Sequence, residues 1–192
     1  MNRLCVILLS LFGWLCLPAM ATEMAPQLAR YLASPDHVLM IRHAYAPGVG
    51  DPAGYTLDRC ETQRVLNEEG KSQAKRIGQW LRQQGLRETV VFTSVWCRCQ
   101  ETAALLKLAP PQVLPALASF FDQPGRASEQ NRSLQEFVAQ QRLTKGSKAL
   151  ILVTHHVNIR EFTGENIGSG DLILVKVDEK GRALSHRAFP SP

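Results

Sequence analysis

The sequence has no dense run of basic residues, no internal repeat and no low-complexity tract. Its 22 Lys and Arg residues outnumber its 17 Asp and Glu residues only modestly, which gives a formal net charge of +5. Proteins that bind nucleic acid usually concentrate basic residues in a patch or run, so we do not expect nucleic acid as a partner. A mild positive charge instead favours small anionic substrates through long-range attraction.

The longest apolar run lies at the N-terminus. It follows Met1-Asn2-Arg3, covers residues 4–17 and is broken by Pro18 before Ala19-Met20-Ala21. The run is shorter than the roughly 20 apolar residues that cross a bilayer, and the small residues at 19 and 21 match a signal-peptidase site. We therefore predict a cleaved signal peptide over 1–21, one domain over 22–192, and a periplasmic or secreted protein with no membrane anchor. An uncleaved anchor is the alternative.

Cysteines are few, and two of the five, Cys5 and Cys16, belong to the predicted signal peptide. An exported protein reaches an oxidising compartment, where cysteines tend to pair. The remaining three leave one thiol over, and we expect a disulfide from Cys60 to either Cys97 or Cys99. No second Cys or His pair stands at ligand spacing beside Cys97 and Cys99, so we do not expect a metal site there.

Strands and helices alternate along the rest of the chain. This predicts an α/β fold: a single three-layer α/β/α domain with a mainly parallel central sheet. Strands are predicted over 37–42, 89–93, 112–114 and 149–153, and a hairpin over 172–177 and about 182–188. A loop rich in Gly and Pro covers 44–59, an amphipathic helix capped by Asn67 covers about 67–84, and a later helix is expected to be capped by Ser128.

Polar side chains follow three of the predicted strands: Arg42-His43, Arg98 and His155-His156. The carboxyl ends of parallel strands share one edge of a sheet, where ligands collect in open α/β folds. Two arginines and two histidines around one point suit a phosphate dianion, and an imidazole there could attack phosphorus. The sequence therefore predicts a phosphate site at this edge.

These stretches resemble the histidine phosphatase superfamily, which has the phosphoglycerate-mutase-like fold. The resemblance rests on Leu39 to Ala44, on Arg98 followed by Glu101-Thr102-Ala103, and on Leu152 to His155, with further matches at Gln63-Arg64 and Gln73-Ala74. It covers most of residues 37–165 and is closest to small secreted bacterial members. It implies a phosphohistidine intermediate on His43, a phosphate held by Arg42, Arg98 and His155, and no metal or other cofactor.

The sequence departs from the superfamily pattern where a proton donor is expected. No Leu-x-Glu stretch stands between Arg98 and His155. The first acid of that region is Asp122, which we assign as the general acid, with Glu129 as the alternative. If the strand persists to His156, this side chain is expected to point away from His155, because side chains alternate along a strand, and so to have a supporting role.

The expected function is an exported, metal-independent phosphomonoester hydrolase. Its partner would be a small phosphorylated substrate, such as a sugar phosphate or an envelope glycan phosphate. A catalytically inactive phosphate- or anion-binding module of the same fold is the alternative. A metal-dependent hydrolase that uses His43, His155 and His156 is a third hypothesis.

Overall fold

The computed structural model describes residues 25–192, with side chains from Gln27 onward. The predicted signal peptide, with Cys5 and Cys16, lies outside the described residues. Within 25–192, no helix combines the length and the apolar character that crossing a bilayer requires.

Helices and strands alternate in the described part of the chain, as predicted. The helices are α1 (Ala25–Ala33), α2 (Glu68–Gln83), α3 (Cys97–Leu105), α4 (Ala127–Thr144) and α5 (His156–Thr163). The strands are β1 (His37–Arg42), β2 (Thr89–Thr93), β3 (Gln112–Val113), β4 (Ala149–Thr154), β5 (Leu172–Val177) and β6 (Ala183–Phe189). Short 3₁₀ turns lie at Cys60–Thr62, Pro115–Leu117 and Pro124–Arg126.

The strands form one sheet in the order β3-β2-β4-β1-β5-β6. The first four in this order run parallel, whereas β5 pairs antiparallel with β1 and forms the predicted hairpin with β6. A mainly parallel sheet is therefore confirmed. Because β4 lies between β2 and β1, three strands from distant parts of the chain end side by side.

Helices cover both faces of the sheet, which confirms the three layers. Leu39 and Ile41 of β1 pack in a core with side chains from α1, α2 and α3. Val38 and Met40 point to the opposite face and pack with α4 and α5. Every residue of β4 is buried, as expected for a strand covered on both faces.

The predicted cap of α2 is confirmed, and the helix approaches its neighbours closely. The Asn67 side chain accepts a hydrogen bond from the backbone N–H of Gly70 at 2.9 Å. A Cβ on Gly70 would lie 2.0 Å from the Tyr45 carbonyl oxygen, and a Cβ on Gly78 would lie 2.1 Å from that of Leu106. Only glycine allows these approaches, and the first of them fixes the chain just beyond β1.

The start of α4 differs from the prediction of a Ser128 cap. The helix begins at Ala127, directly after the 3₁₀ turn Pro124–Arg126. Arg126 occupies the N-cap position with φ −85° and ψ −6° and makes no side-chain capping bond. The chain therefore enters α4 already in helical conformation, so no extended capping residue is used.

Candidate active site

The carboxyl ends of β1 and β4 bring two histidines together. Arg42 pairs with Thr154 in the sheet register, and the N–H of His43 donates to the Thr154 carbonyl at 2.9 Å. His43 and His155 therefore follow adjacent strands side by side, with ring centroids 5.4 Å apart. Both side chains are buried.

These strand ends open into a cavity of about 290 Å³, which we call the anion cavity. It is lined by Arg42, His43, Gly48, Val49, Gly50, Asp51, Arg64, Arg98, Ser119, Phe121, His155 and His156. Four residues predicted from the sequence thus meet in one place, namely the two histidines just described and the arginines at 42 and 98. Three arginines and one carboxylate make the lining positive, which suits a phosphate group.

His43 is held as a neutral imidazole with one ring nitrogen free. Its Nδ1 lies 2.8 Å from the Ala44 carbonyl oxygen, an acceptor only, so Nδ1 is assigned the proton and Nε2 the lone pair. Burial lowers the pKa of His43 to about 3, and the nearby positive charges of Arg98, Arg42 and Arg64 act in the same direction. At neutral pH its Nε2 is therefore unprotonated and available as a nucleophile.

His155 is held by partners from the β2–α3 connection and the first turn of α3. Its Nε2 lies 2.8 Å from the Ser94 hydroxyl and 3.4 Å from the Cys99 sulfur. The Trp96 indole stands edge-on to the imidazole, with ring centroids 5.3 Å apart. Burial, and then the charges of His43 and Arg98, hold the pKa of His155 well below its usual value.

Arg98 is held by a carboxylate that the sequence analysis missed. Its Nη1 forms a buried ion pair with Oδ1 of Asp51 at 2.8 Å, and the two side chains are 4% and 3% exposed. Asp51 also accepts from the Trp96 indole N–H at 3.2 Å and from the backbone N–H of Arg64 at 2.9 Å. A fixed carboxylate thereby orients the guanidinium that closes one side of the cavity.

Arg64 adds a third guanidinium that the predicted site did not include. Its Nε donates to the Gly50 carbonyl at 2.8 Å, and its Nη1 donates to the Ala46 carbonyl. Burial and the charge of Arg98 lower its pKa. Backbone carbonyls of the loop after β1 therefore hold a cation against the anion cavity.

His156 lines the same cavity as His155, because the strand does not persist as far as this residue. The strand ends at Thr154, His155 occupies the N-cap position, and His156 begins α5. Strand alternation therefore does not apply beyond Thr154. The His156 ring lies 5.7 Å from that of Phe121, and burial, then the charge of Arg42, lowers its pKa.

The structure does not place Asp122 or Glu129 in the lining of the anion cavity. Asp122 is exposed, accepts from the Tyr55 hydroxyl at 3.3 Å, and lines a neighbouring cavity that shares Ser119 with the first. Glu129 is exposed in the first turn of α4. The general-acid assignment therefore stays a prediction.

A disulfide ties the loop after β1 to the first turn of α3. It joins Cys60 to Cys97, one of the two expected pairings, and leaves Cys99 free and buried. The Gln63 side chain accepts from the Cys97 N–H at 3.0 Å and donates to the carbonyls of Thr56 and Leu57. The first turn of α3, which carries Arg98, is thereby fastened to this loop.

Within residues 25–192, no group of three or more His, Cys, Asp and Glu side chains is arranged to hold a metal ion. Ligand geometry therefore gives no support to a metal centre made by His43, His155 and His156.

A family profile described as the histidine phosphatase superfamily (branch 1) matches residues 38–146, more than half of the chain. The chain belongs to this superfamily. The match contains Arg42, His43 and Arg98, while His155 follows it and reaches the site through β4.

Solved structures similar to this chain share its fold at low identity. The protein histidine phosphatase SixA complexed with tungstate is 20% identical, with a TM-score of 0.56 over 81% of this chain and 97% of that one. Alpha-ribazole phosphatase from Shigella flexneri is 15% identical, with a TM-score of 0.52 over 78% and 94%. Mycobacterial glucosyl-3-phosphoglycerate phosphatase in complex with inorganic phosphate is 13% identical, with a TM-score of 0.51 over 82% and 97%. A comparison with curated proteins gave no match.

Three residues of the site were not predicted, and the sequence identifies them with different clarity. Arg64 lies in a stretch that already resembled the superfamily, and its charge could have marked it as a phosphate ligand. Asp51 stands between Gly50 and Pro52, where aspartate is common simply because the chain turns. Ser94 is a small polar residue at a strand end, and only its contact with His155 distinguishes it.

Proposed function

We propose that this histidine phosphatase hydrolyses phosphomonoesters through a phosphohistidine on His43. The single observation that supports this most directly is the state of His43: a buried, neutral imidazole with Nδ1 fixed by the Ala44 carbonyl, inside an arginine-lined cavity. The named solved relatives act on different phosphorylated compounds, so the shared fold does not select among leaving groups.

The phosphate would be captured by Arg42, Arg98 and His155, with Arg64 as a further positive neighbour. A guanidinium group can donate two parallel hydrogen bonds to a phosphate. These bonds fix the orientation of the phosphate, and the positive charge of the guanidinium compensates its negative charge. Phosphoryl transfer spreads charge over the equatorial oxygens, and preorganised donors stabilise that charge without reorganising.

In the first step, His43 Nε2 forms a bond to phosphorus while the bond to the ester oxygen breaks. The leaving oxygen takes a proton. Our proposed donor is Asp122 in its protonated carboxylic acid form, because it lines the cavity next to the bound phosphate. In the second step, water attacks phosphorus, the N–P bond breaks, and its electron pair returns to Nε2. The proton that the attacking water loses goes to the Asp122 carboxylate, which restores the acid used in the first step. The products are inorganic phosphate and the free alcohol.

The test is turnover of 4-nitrophenyl phosphate by the wild type and by His43→Ala. We expect turnover to fall at least about 10³-fold, because the covalent route is lost with its nucleophile. His186→Ala is the matched control: His186 is a histidine on β6, beside Glu165 and outside the anion cavity. Full activity in His43→Ala would refute the mechanism.

The second candidate, an anion-binding module, is favoured by one observation. Among the described residues, Asp51 is the only one that brings a carboxylate to the lining of the anion cavity, and it is already paired with Arg98. Absence of turnover above background, together with measurable phosphate binding by calorimetry, would establish the binding module in place of the enzyme.

We also propose that the protein is exported, with residues 1–21 as the cleaved signal. The Cys60–Cys97 disulfide supports this, because disulfides persist in oxidising compartments. Cell fractionation and N-terminal sequencing of the purified protein test this proposal. A protein that is found in the cytoplasm and whose N-terminus lies before position 21 would refute it.

A further inference from the structure

A second cavity of about 130 Å³ adjoins the anion cavity, and we call it the side cavity. Its polar and aromatic lining comprises Tyr55, Trp96, Ser119, Asp122, Gln123 and Arg126. With the anion cavity it reaches the range of roughly 300–1,000 Å³ that is usual for small-ligand sites.

The two cavities share Ser119, and Trp96 of the side cavity contacts two residues that line the anion cavity. Ser119 lines both of them. The Trp96 indole lines the side cavity while it stands edge-on to His155 and donates its N–H to Asp51. A phosphate bound in the anion cavity therefore has the side cavity next to it, where the group esterified to that phosphate can lie.

The polar groups of the side cavity stand in pairs of donor and acceptor. The Tyr55 hydroxyl donates to Asp122 at 3.3 Å, and Arg126 Nη1 donates to the Gln123 side-chain oxygen at 3.3 Å. A hydroxyl group both donates and accepts, so it can bond to both members of such a pair.

Aromatic rings stand beside these polar pairs. Tyr55 and Trp96 have ring centroids 6.2 Å apart and are inclined at 45°. Flat apolar surfaces of this kind pack against the C–H groups of a saturated ring, while the polar groups bind its hydroxyls. A purely apolar or aryl group would use the rings but could make no hydrogen bond to the polar pairs, so it would lack the binding free energy that those bonds add.

We propose that the side cavity binds the alcohol part of the substrate and that this part is a polyhydroxylated ring, a sugar or a cyclitol. The inference rests on the proposed function in one respect, namely that the substrate phosphate lies in the anion cavity.

The test measures binding in a variant that cannot turn the ligand over. Calorimetry on His43→Ala compares glucose 1-phosphate, mannose 1-phosphate, galactose 1-phosphate and inositol 1-phosphate with two ligands that lack ring hydroxyls. These are cyclohexyl phosphate, which has a saturated six-membered ring, and phenyl phosphate, which has an aryl ring. We expect the best hydroxylated ligand to bind about tenfold more tightly, because one or two net hydrogen bonds supply that difference. His43→Asn is the second variant if His43→Ala does not fold.

Further substitutions in this background locate the preference. Gln123→Ala and Arg126→Ala should each reduce the preference for the hydroxylated ring several-fold. Arg132→Ala is the matched control, because Arg132 is exposed on α4 and outside both cavities, and it should keep the preference.

Equal affinity for cyclohexyl phosphate and every hydroxylated ligand would overturn the inference, and so would a preference that survives both substitutions. Tighter binding of phenyl phosphate than of all the others would assign an aryl group and overturn it as well. Turnover by the wild type is measured separately. A retained preference without turnover refutes only the proposed function, whereas turnover without a preference refutes only this inference.

Discussion

The buried ion pair between Asp51 and Arg98 leads to a prediction that links stability to anion binding. Asp51→Asn removes the negative charge at nearly constant shape and leaves the Arg98 guanidinium buried without its partner. Removing one member of a buried pair typically costs about 3–5 kcal/mol of unfolding free energy. The Asn oxygen can still accept one of the hydrogen bonds, so we expect the lower end of that range. For a chain of this size this corresponds to a Tm lower by about 6–12 °C.

The same substitution should strengthen phosphate binding. In the wild type an anion shares Arg98 with the Asp51 carboxylate, whereas in the variant it becomes the only negative partner of that guanidinium. If the Kd for phosphate improves about tenfold, saturating phosphate should raise the unfolding free energy by about 1.4 kcal/mol more in Asp51→Asn than in the wild type.

Urea unfolding followed by circular dichroism, with and without inorganic phosphate, measures both effects. Glu68→Gln is the control, because it removes the same charge from a pair with Lys71 at 2.8 Å in which Glu68 is 89% exposed. Exposed pairs contribute little to stability, so both effects should be nearly absent there. A variant as stable as the wild type, or one that phosphate stabilises to the same extent, would refute the reasoning.

Three further predictions follow from the same architecture. Burial and neighbouring arginines hold the pKa of His43 at about 3 in the folded protein, whereas in the unfolded chain it is about 6.5. Below pH 6.5 the unfolded chain therefore binds more protons than the folded protein does. The unfolding free energy should consequently fall as the pH is lowered towards 3. His43→Gln should make this fall less steep in urea titrations, and an unchanged slope would contradict the assignment. Replacing Cys60 and Cys97 by Ser removes a link across 37 residues, which should cost about 4 kcal/mol and weaken phosphate binding in calorimetry; unchanged affinity would show that the disulfide does not support the site. Gly70→Ala places a Cβ 2.0 Å from the Tyr45 carbonyl oxygen and should cost about 1–3 kcal/mol in the same unfolding assay, whereas wild-type stability would show that the loop can give way.

The central part of the fold could be predicted because its signals are local. A continuous apolar run such as Ala149 to Val153 favours a strand covered on both faces, whatever lies elsewhere in the chain. The Asn67 cap and the Gly and Pro residues after β1 are equally local. The proximity of Arg42, His43 and His155 could be predicted from one topological rule, namely that the carboxyl ends of parallel strands lie at the same edge of a sheet.

The parts that could not be predicted depend on contacts between distant segments. Asp51 gains its role from Arg98 and Trp96, which lie more than 40 residues away, and nothing in the neighbouring sequence distinguishes it from a turn residue. The orientation of His156 could not be predicted for a related reason, since it depends on the residue at which β4 ends and α5 begins. Asp122 was placed by its order in the chain, and chain order does not determine which of two adjoining cavities a residue lines.

The position of β4 between β2 and β1 has a consequence for how the site comes into being. His43 and Arg98 are synthesised early, but the strands that precede them, β1 and β2, do not pair with each other. They are connected in the sheet only by β4, which lies between them and is synthesised some 50 residues after Arg98. Non-local pairing of this kind is slow to form, because the chain must close a long loop before the pairing stabilises it. An incomplete chain that ends before β4 therefore contains His43 and Arg98 without the strand that aligns them. The anion cavity comes together only when the chain is nearly whole, so we expect a nascent chain that lacks β4 to have no phosphate-binding site.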